Sequence, residues 1–335
     1  MNIEREYLGT ETQAEGLNEF QKKLSLENIY VKNESQALNS VADYDKLKIL
    51  TWNIERGANP DALAAYINQV EPDIVCLQEV DWGNRRTKDV DVLSRIALST
   101  SMLGLFSAEF FEIQTPDRAE ELAGGGAHGN AILTRILPKR YFRIELPVAF
   151  DWVNAPESKK EIARREKRVG GRFGLCVEFD YFGRSIIICS THFEDKDGGM
   201  EGRFAQFKSI AETIRRTTSK DAISIITGDF NSLENWVTSV TKTYQISKSN
   251  SKSLRKPWYI SECRWWKRYL LPETGYIDPF TCRNWTYKRK MIYKEKLDWI
   301  AVRNCQVLKQ DVGDFNTSDH RPIWAQIRLK LVKAV

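Results

Sequence analysis

The stretch Ala222-Ile-Ser-Ile-Ile-Thr-Gly-Asp-Phe-Asn231 decides the fold of this chain. Its first six residues form a short run rich in isoleucine, which is typical of a buried β-strand. Asp229 and Asn231 follow at the point where the strand ends. When several strands of a sheet end together, polar side chains from distant parts of a sequence converge on one cleft. The stretch therefore predicts a strand that brings a carboxylate and an amide to a site.

Other polar residues border short apolar runs in the same way. Asn53, Glu79 and His192 end the runs Ile-Leu-Thr-Trp-Asn, Ile-Val-Cys-Leu-Gln-Glu and Ile-Ile-Ile-Cys-Ser-Thr-His. Ser318-Asp319-His320 precedes the last such run, and Asp298 lies near the start of another. Carboxylate and amide oxygens suit a hard cation such as Mg²⁺. No position offers the thiolate and imidazole set that zinc prefers.

Strand-like and helical patterns alternate from Leu47 onward, which indicates an α/β fold. Strands are expected at 48–52, 73–77, 130–134, 173–179, 185–190, 222–227, 297–302 and 323–328, and helices at 61–70, 90–103 and 203–216. No linker-like break interrupts the alternation, so we expect one domain over 45–332. Residues 1–44 are polar, and the weak stripe of Leu17, Phe20 and Leu24 predicts an N-terminal extension that contains one helix.

The composition is that of an ordinary globular protein, with 42% hydrophobic and 28% charged residues in a chain of 335. No apolar run approaches the roughly 20 residues that span a bilayer, and the N-terminus lacks a secretory pattern. The six cysteines occur singly, without a CxxC pair. We therefore expect neither a disulfide framework nor a zinc site, and a reducing compartment, the cytoplasm, fits best.

The net charge of +5 is concentrated in one late segment. Residues 252–296 carry twelve basic and four acidic side chains together with ten aromatic ones. Cations interleaved with aromatic rings suit nucleic acid, because cations meet phosphates and rings stack on unpaired bases. The same composition suits an anionic membrane surface, or a loop that packs on the domain through its own tryptophans. All three interpretations remain open, and nucleic acid is preferred.

The three histidines of the chain all lie in short segments that are polar, rich in glycine or at the end of a predicted strand. They are His128 in Gly-Gly-Ala-His-Gly-Asn, His192 in Ser-Thr-His-Phe-Glu and His320 in Thr-Ser-Asp-His-Arg-Pro. Histidine is the usual side chain for proton transfer near neutral pH. Their placement beside strand-end carboxylates predicts an enzyme.

Seven short motifs in register resemble the endonuclease/exonuclease/phosphatase superfamily. They are Trp-Asn-Ile-Glu, Leu-Gln-Glu-Val-Asp, Gly-Asn-Ala-Ile-Leu, Thr-His-Phe, Gly-Asp-Phe-Asn, Leu-Asp-Trp-Ile and Ser-Asp-His-Arg-Pro, within about residues 46–330. Each motif alone is weak, but seven in this order are specific. The resemblance implies a four-layer α/β sandwich, deoxyribonuclease-I-like, in which helices flank two mixed β-sheets. It also implies hydrolysis of phosphoesters with Mg²⁺ or Mn²⁺.

The resemblance also implies roles for individual residues. Glu79 would be the main metal ligand, with Asn53 in support and Asp319 beside the metal. Asp229 would orient or deprotonate the attacking water, Asn231 would hold a phosphate oxygen, and His192 would stabilise the transition state or protonate the leaving oxygen. His320 would act as general base or phosphate contact, and Asp298 would fix its tautomer. Substrate contacts are expected from Arg86, His128, Asn130, Arg203, Trp285 and Tyr287.

These observations predict a divalent-metal-dependent phosphoester hydrolase, and most specifically a nucleic-acid endonuclease or exonuclease. A phospholipid phosphodiesterase or an inositol phosphate phosphatase is the main alternative, with a lipid or small phosphoester as its substrate. A nucleic-acid-binding module without activity is a remote alternative, because Glu79, Asp229, Asn231, Asp319 and His320 are all present.

Overall fold

The computed structural model describes residues 16–33, 37–151, 166–232, 261–289, 293–314 and 317–329. The strands are β1 Tyr30–Lys32, β2 Lys46–Arg56, β3 Ile74–Trp82, β4 Leu103–Glu112, β5 Ala127–Thr134, β6 Arg140–Glu145, β7 Arg168–Gly170, β8 Phe173–Tyr181, β9 Arg184–His192, β10 Ile223–Asp229, β11 Tyr287–Arg289, β12 Tyr293–Glu295, β13 Asp298–Arg303, β14 Gln306–Val312 and β15 Ile323–Arg328. The helices are α1 Pro60–Val70, α2 Val92–Thr100, α3 Gly199–Thr217, α4 Glu262–Trp265 and α5 Leu271–Thr274, and a π-helical turn, Trp266–Leu270, joins the last two.

Two mixed sheets contain most of these strands. The larger sheet has the order β1-β4-β5-β3-β2-β15-β14, with β7 also paired to β4, and the smaller has the order β13-β10-β9-β8-β6. The pairs β2–β3 and β9–β10 are parallel, and the remaining pairs in the two sheets are antiparallel. Strands β11 and β12 form a separate ribbon.

Three apolar cores define four layers. The central core lies between the sheets, a second lies between the larger sheet and helices α1 and α2, and a third lies between the smaller sheet and α3 with the 262–274 segment. Strand β10 shows why its sequence is apolar throughout: Ile223 and Ile225 enter the central core, whereas Ile226 packs in the third. The predicted four-layer α/β sandwich is confirmed.

The first helices follow local signals in the sequence. Pro60 begins α1, and the Asn59 side chain accepts a hydrogen bond from Ala62 N at 3.2 Å, which caps the helix. The predicted helix at 90–103 was too long. Helix α2 ends at Thr100 because Ser101 takes φ 52°, and the chain then enters the fully buried strand β4.

The N-terminal extension is part of the sheet rather than a separate helix. Its described residues, 16–33 and 37–44, contain two short 3₁₀ turns and strand β1, which pairs antiparallel with β4. Gln21 is 1% exposed and donates from Nε2 to the carbonyl oxygens of Glu112 and Gly126 at 3.0 and 2.9 Å. The expected helix is therefore wrong for these residues: the stripe of Leu17, Phe20 and Leu24 contains only the 3₁₀ turn Gln21–Lys23, which Gln21 ties to the sheet, and Tyr30–Lys32 pair with β4.

Cys263 and Cys282 form a disulfide, which the spacing of the cysteines did not predict. Their Cα atoms lie 6.0 Å apart because the π-helical turn packs against the following loop, where Lys267 Nζ donates to Asp278 Oδ2 at 3.0 Å and to Phe280 O. Disulfides persist in oxidising compartments, so cysteine usage no longer supports a reducing one, and a cytoplasmic location stays a prediction. Among the described helices, none is long and apolar enough to cross a membrane.

Candidate active site

The polar strand ends of both sheets meet at one edge of the sandwich. Parallel strands β2 and β3 end near Asn53 and Glu79, and parallel strands β9 and β10 end at His192 and Asp229, which are directly opposite each other in register. Strand β13 runs antiparallel to β10, so its first residue, Asp298, is also paired with Asp229. Topology therefore brings together side chains that are up to 245 residues apart in the sequence.

A glycine allows β10 to reach this edge. Gly228 has φ 137°, a value that L side chains rarely adopt, and a Cβ atom there would overlap the carbonyl oxygen of Thr191 in β9. Several residues without this freedom also have positive φ near the site, including Glu55 at 45°, Glu79 at 57° and Asn231 at 50°. Backbone outliers of this kind cluster at functional sites, where the surrounding structure holds them in place.

Asn53 joins the two sheets at the centre of the site. Its Nδ2 donates to Glu79 Oε1 at 3.0 Å and to Asp229 Oδ2 at 3.1 Å, while its Oδ1 accepts from Glu55 N at 3.1 Å. Burial would raise the pKa of Glu79, but His128 and the Asn53 amide outweigh burial and lower it. The structure thus presents Asn53 as a donor that holds two carboxylates, and its predicted role as a metal ligand would need the amide to turn.

His320 is oriented by a buried carboxylate. Its Nδ1 lies 2.8 Å from Asp298 Oδ2, its Nε2 lies 3.7 Å from Asp229 Oδ2, and its carbonyl accepts from Trp52 Nε1 at 2.9 Å. Burial alone would lower the pKa of His320, but the charges of Asp298 and Asp229 raise it well above 6.5. A proton on Nδ1 is therefore shared with Asp298, and Nε2 faces the site.

Asp229 lies between the two strand-end imidazoles. Its Oδ2 is 3.6 Å from His192 Nε2 and 3.7 Å from His320 Nε2, and its Oδ1 accepts from Asn231 N at 2.8 Å. Burial and the nearby charge of Asp298 raise the pKa of Asp229 to about 6, against the opposing effect of His320. The side-chain Nδ2 of Asn231 donates to Phe193 O at 2.9 Å, which fixes the turn after β10.

A buried ionic group supports His192, and the sequence analysis did not find it. Glu109 accepts from Asn130 Nδ2 and from Arg172 Nη1, both at 3.0 Å, and its Oε2 lies 3.8 Å from His192 Nδ1. Burial, followed by the charge of Arg172, lowers the pKa of His192 well below 6.5, so its imidazole is neutral at pH 7. A glutamate inside the apolar run of β4 was the available signal, but that run was not recognised as a strand.

Two predicted substrate contacts, Arg86 and His128, belong to a buried network instead of an open surface. The Arg86 guanidinium donates to both oxygens of Asp81 at 2.7 and 2.8 Å, and His128 Nδ1 lies 2.8 Å from Asp81 Oδ1. Glu112 extends the network to Arg86 and Arg118. Because the Arg86 side chain is only 3% exposed, direct contact with substrate is not supported, and the network instead fixes the β3 segment that carries Glu79.

Arg203 is a packing residue in this structure. Its side chain is 1% exposed, donates to Glu262 through three bonds of 2.7 to 3.1 Å, and donates to Asp195 O at 2.8 Å. The predicted substrate contact is therefore not supported, because these partners occupy the guanidinium. Asn130 remains close to the site through its bond to Glu109.

Trp285 and Tyr287 lie beside the edge where the polar strand ends meet. The Tyr287 and His320 rings have centroids 4.9 Å apart, and the two residues form a β-bridge. Trp285 is partly exposed, with Arg321 Cζ 4.3 Å and Lys294 Nζ 4.7 Å from its ring centroid. The predicted basic-aromatic segment therefore reaches the site through these residues, while its positions 252–260 and 290–292 lie outside the described residues.

An oxygen-rich group next to His320 fits a divalent cation. Glu55 Oε2 accepts from Asp319 N at 2.9 Å, which brings these two carboxylates together, and Glu79 also acts on Asp319 electrostatically. Burial and these negative charges raise the pKa of Asp319 to about 6. A hard cation would relieve the excess negative charge, and carboxylate oxygens are the ligands that Mg²⁺ prefers.

A second set of ligand-type atoms, from Asp229, Asp298 and His320, lies within 4.8 Å of one another. Asp298 Oδ2 and His320 Nδ1 are hydrogen-bonded to each other, so they offer fewer free lone pairs than the carboxylate group. The set therefore suits proton transfer better than metal binding.

A family model agrees with this geometry. The model of the endonuclease/exonuclease/phosphatase family matches residues 50–320, a range that includes every strand-end residue described above. The chain belongs to the endonuclease/exonuclease/phosphatase family. Members of this family are generally phosphoester hydrolases and are typically dependent on a divalent metal. No curated protein sequence matches the chain.

Solved structures of the family share the fold. A family protein from Beutenbergia cavernae DSM 12333 superposes with a TM-score of 0.57 at 17% identity, covering 85% of this chain and 72% of that one. A family protein from Leptotrichia buccalis C-1013-b superposes with a TM-score of 0.52 at 18% identity, and the match covers 84% of this chain and 100% of that one. The human Nocturnin catalytic domain with bound sulfate anion superposes with a TM-score of 0.52 at 16% identity, and the match covers 88% of this chain and 97% of that one. At these identities the likeness concerns the fold alone.

Proposed function

We propose that this protein is a divalent-metal-dependent phosphodiesterase that cleaves nucleic acid. The observation that carries the proposal is the arrangement of His192 and His320 around one carboxylate oxygen of Asp229, at 3.6 and 3.7 Å. A carboxylate between two imidazoles can move a proton from water while a neighbouring ring stabilises charge on a phosphoryl oxygen. The family's general activity supports the same class of chemistry.

The three central residues would have different protonation states at neutral pH. Asp229, with a pKa of about 6, is mostly ionised and can accept a proton from the attacking water. His320 is protonated because its pKa is raised, so Nε2 donates a hydrogen bond to a non-bridging phosphate oxygen. His192 is neutral because its pKa is lowered, so it serves as a hydrogen-bond donor more readily than as a strong acid.

Glu79 and Asp319 would hold the cation, with Glu55 close by and Asn53 in support. When bound, the metal supplies positive charge to a phosphoryl oxygen and lowers the barrier to attack. The chain's own contribution is to keep Glu79 ionised and fixed, which Asn53 does through its bond of 3.0 Å. Asp298 holds the protonated His320 ring in one orientation through its bond of 2.8 Å to Nδ1.

Nucleic acid is preferred to lipid because cationic and aromatic side chains are interleaved at the edge of the site. Trp285 contacts Arg321 and Lys294, and Tyr287 contacts His320. An exposed lysine and a partly exposed arginine beside partly exposed rings match a sugar-phosphate chain that carries bases.

The test is hydrolysis of supercoiled plasmid, single-stranded DNA, RNA and sphingomyelin vesicles with Mg²⁺ or Mn²⁺, and with EDTA. We expect EDTA-sensitive cleavage of nucleic acid, and loss of at least a hundredfold in rate for Glu79→Gln. Glu19→Gln, which removes an exposed carboxylate that pairs only with Lys22 among the described residues, is the matched control and keeps full activity. Hydrolysis of lipid with intact nucleic acid would keep the hydrolase assignment but overturn the substrate. Activity that persists in EDTA or in Glu79→Gln would overturn the metal assignment.

A further inference from the structure

The backbone next to Trp285 is anchored to the segments that carry Asp298 and His320. Its neighbour Thr286 accepts hydrogen bonds at Oγ1 from Leu297 N and Asp298 N, both at 3.0 Å, and its carbonyl accepts from Arg321 N at 2.7 Å. Asp298 is the partner of His320, and Arg321 follows His320 directly. These bonds fix the backbone next to Trp285 relative to His320 and Asp298, and the indole extends from this anchored backbone.

Two cations lie against this one indole ring. Arg321 Cζ is 4.3 Å from the ring centroid, and Arg321 is anchored because its Nε donates to Gly313 O at 2.8 Å. Lys294 Nζ is 4.7 Å from the ring centroid, and its side chain is exposed on strand β12. Among the described residues, the ring is the contact that the Lys294 ammonium group makes, so this exposed lysine is displaced more easily than the anchored arginine.

The strengths of the cation–π contact and of base stacking decide what replaces Lys294 on the Trp285 ring. An exposed cation–π contact changes an equilibrium about two- to fivefold. A nucleic-acid base that stacks on an aromatic side chain contributes about 5- to 150-fold. A base therefore displaces Lys294 from the ring, and the freed ammonium group can move to the neighbouring phosphate. The same exchange gains little for a lipid, whose headgroup has no flat aromatic face.

We propose that Trp285 is a stacking site for an unpaired base next to the scissile phosphate, so that the enzyme selects single strands or unpaired ends over duplex. The proposal rests on the proposed nuclease function and adds the substrate class. A paired base inside a duplex has both faces covered by its neighbours, so it cannot reach the indole without unstacking. Arg321, whose Cζ lies 4.3 Å from the Trp285 ring, directly follows His320, so a nucleotide stacked on Trp285 would lie near the reacting group.

Binding measurements in EDTA test the proposal without cleavage. The probes are a fluorescent 12-nucleotide single strand, the same sequence as a duplex, and a single strand whose bases are replaced by abasic sugars. The variants are Trp285→Ala and Trp285→Phe. Trp324→Phe is the matched control, because Trp324 is also partly exposed with a lysine, Lys48, 5.2 Å from its ring, but it packs against the core under α1 and α2.

We expect Trp285→Ala to weaken binding of the single strand 5- to 150-fold. Duplex and abasic strands should change less than twofold, and Trp285→Phe should restore most of the affinity. Lys294→Met should lower the slope of log Kd against log salt by about 0.7, the value for one contact to a single-stranded phosphate.

Equal losses for single strand, duplex and abasic strand, or no loss at all, would overturn the stacking proposal. A loss in Trp324→Phe as large as that in Trp285→Ala would also overturn it, because the effect would then be general. Binding to anionic phospholipid vesicles that depends on Trp285, without a change for the single strand, would replace the base with a membrane surface. Metal-dependent hydrolysis of bis(p-nitrophenyl) phosphate by the wild type separates these outcomes from failure of the hydrolase assignment itself.

Discussion

Arg203 allows a packing role and a substrate-binding role to be separated by one substitution. Arg203→Met keeps much of the side-chain volume but removes the guanidinium from Glu262, which is 5% exposed and would be left as a buried charge. Lys208→Met is the matched control on the same helix. Lys208 pairs with Glu273 at 3.1 Å, but the two side chains are 41% and 56% exposed.

The two changes should differ severalfold in their effect on stability. Removing one partner of a buried ion pair lowers the free energy of unfolding by about 3–5 kcal/mol, whereas an exposed pair contributes about 0–1 kcal/mol. With an unfolding entropy of about 2.1 cal/mol/K per residue, a chain of 335 residues loses roughly 1.4 °C in Tm for each kcal/mol. We therefore expect a fall of about 4–7 °C for Arg203→Met and of at most about 1.5 °C for Lys208→Met.

Thermal unfolding by circular dichroism gives both Tm values, and steady-state kinetics at 25 °C give kcat and KM. Adding Glu262→Gln to Arg203→Met should recover part of the loss, because it removes the stranded charge and leaves an acceptor for Trp266 Nε1, now 3.3 Å from Glu262 Oε1. The reasoning is refuted if Arg203→Met leaves Tm unchanged. A KM raised tenfold or more with an unchanged Tm would instead restore the substrate contact that the sequence predicted.

The remaining predictions concern the protonation of His320 and Asp229 and the binding of a divalent metal. Asp298→Asn should lower kcat by up to about 10⁴, the effect of losing a buried carboxylate that orients a catalytic imidazole. It should also move the alkaline limb of the pH–rate profile to lower pH, since Asp298 raises the pKa of His320; an unmoved limb would contradict this origin. The acidic limb should lie near pH 6 in the wild type, where Asp229 loses its proton, so activity rises from pH 5 to 7; in Asp298→Asn this limb should move to lower pH, because the charge of Asp298 helps raise the pKa of Asp229. Mg²⁺ or Mn²⁺ at about 100 times its Kd should stabilise the fold by about 2.7 kcal/mol, measured as a higher Tm. Glu79→Gln should abolish this increase, and its Tm in EDTA should be somewhat lower than that of the wild type, because the lowered pKa of Glu79 means that the ionised carboxylate stabilises the fold.

Strand ends with clear apolar runs were predictable, and they account for the centre of the site. Strand β10 contains the run quoted at the outset, and Asp229 and Asn231 follow it as expected. The two strands of the hairpin β8–β9 and helices α1 and α3 also lie where the patterns place them, with ends that differ by a few residues. These elements were predictable because their periodicity is local, and Pro60 marks the start of α1 in the sequence.

Strand β4 was not predictable because its signal depends on distant partners. All ten of its residues are buried, and two of them are glutamates, Glu109 and Glu112. They are tolerated there because each is paired with an arginine. Arg172, distant in the sequence, pairs with Glu109, and Arg118, across the turn after β4, pairs with Glu112. The burial of Arg86 was not predictable either, because nothing in the sequence shows that its partner Asp81 is buried.

Polar bonds connect the two sheets only a few ångströms from the reacting atoms. Asn53 binds Asp229 at 3.1 Å, Asp298 binds His320 at 2.8 Å, and below them Gln78 Nε2 in β3 donates to Ser190 Oγ in β9 at 3.0 Å. The distance between the layers, set by the isoleucines of the central core, therefore sets the geometry of the proton-transfer groups. A conservative change in that core, such as Ile225→Val, alters turnover in proportion to how far the layers shift, even when the folded fraction stays the same. The interior of the sandwich thus contributes to the geometry of the site through residues that do not meet the substrate.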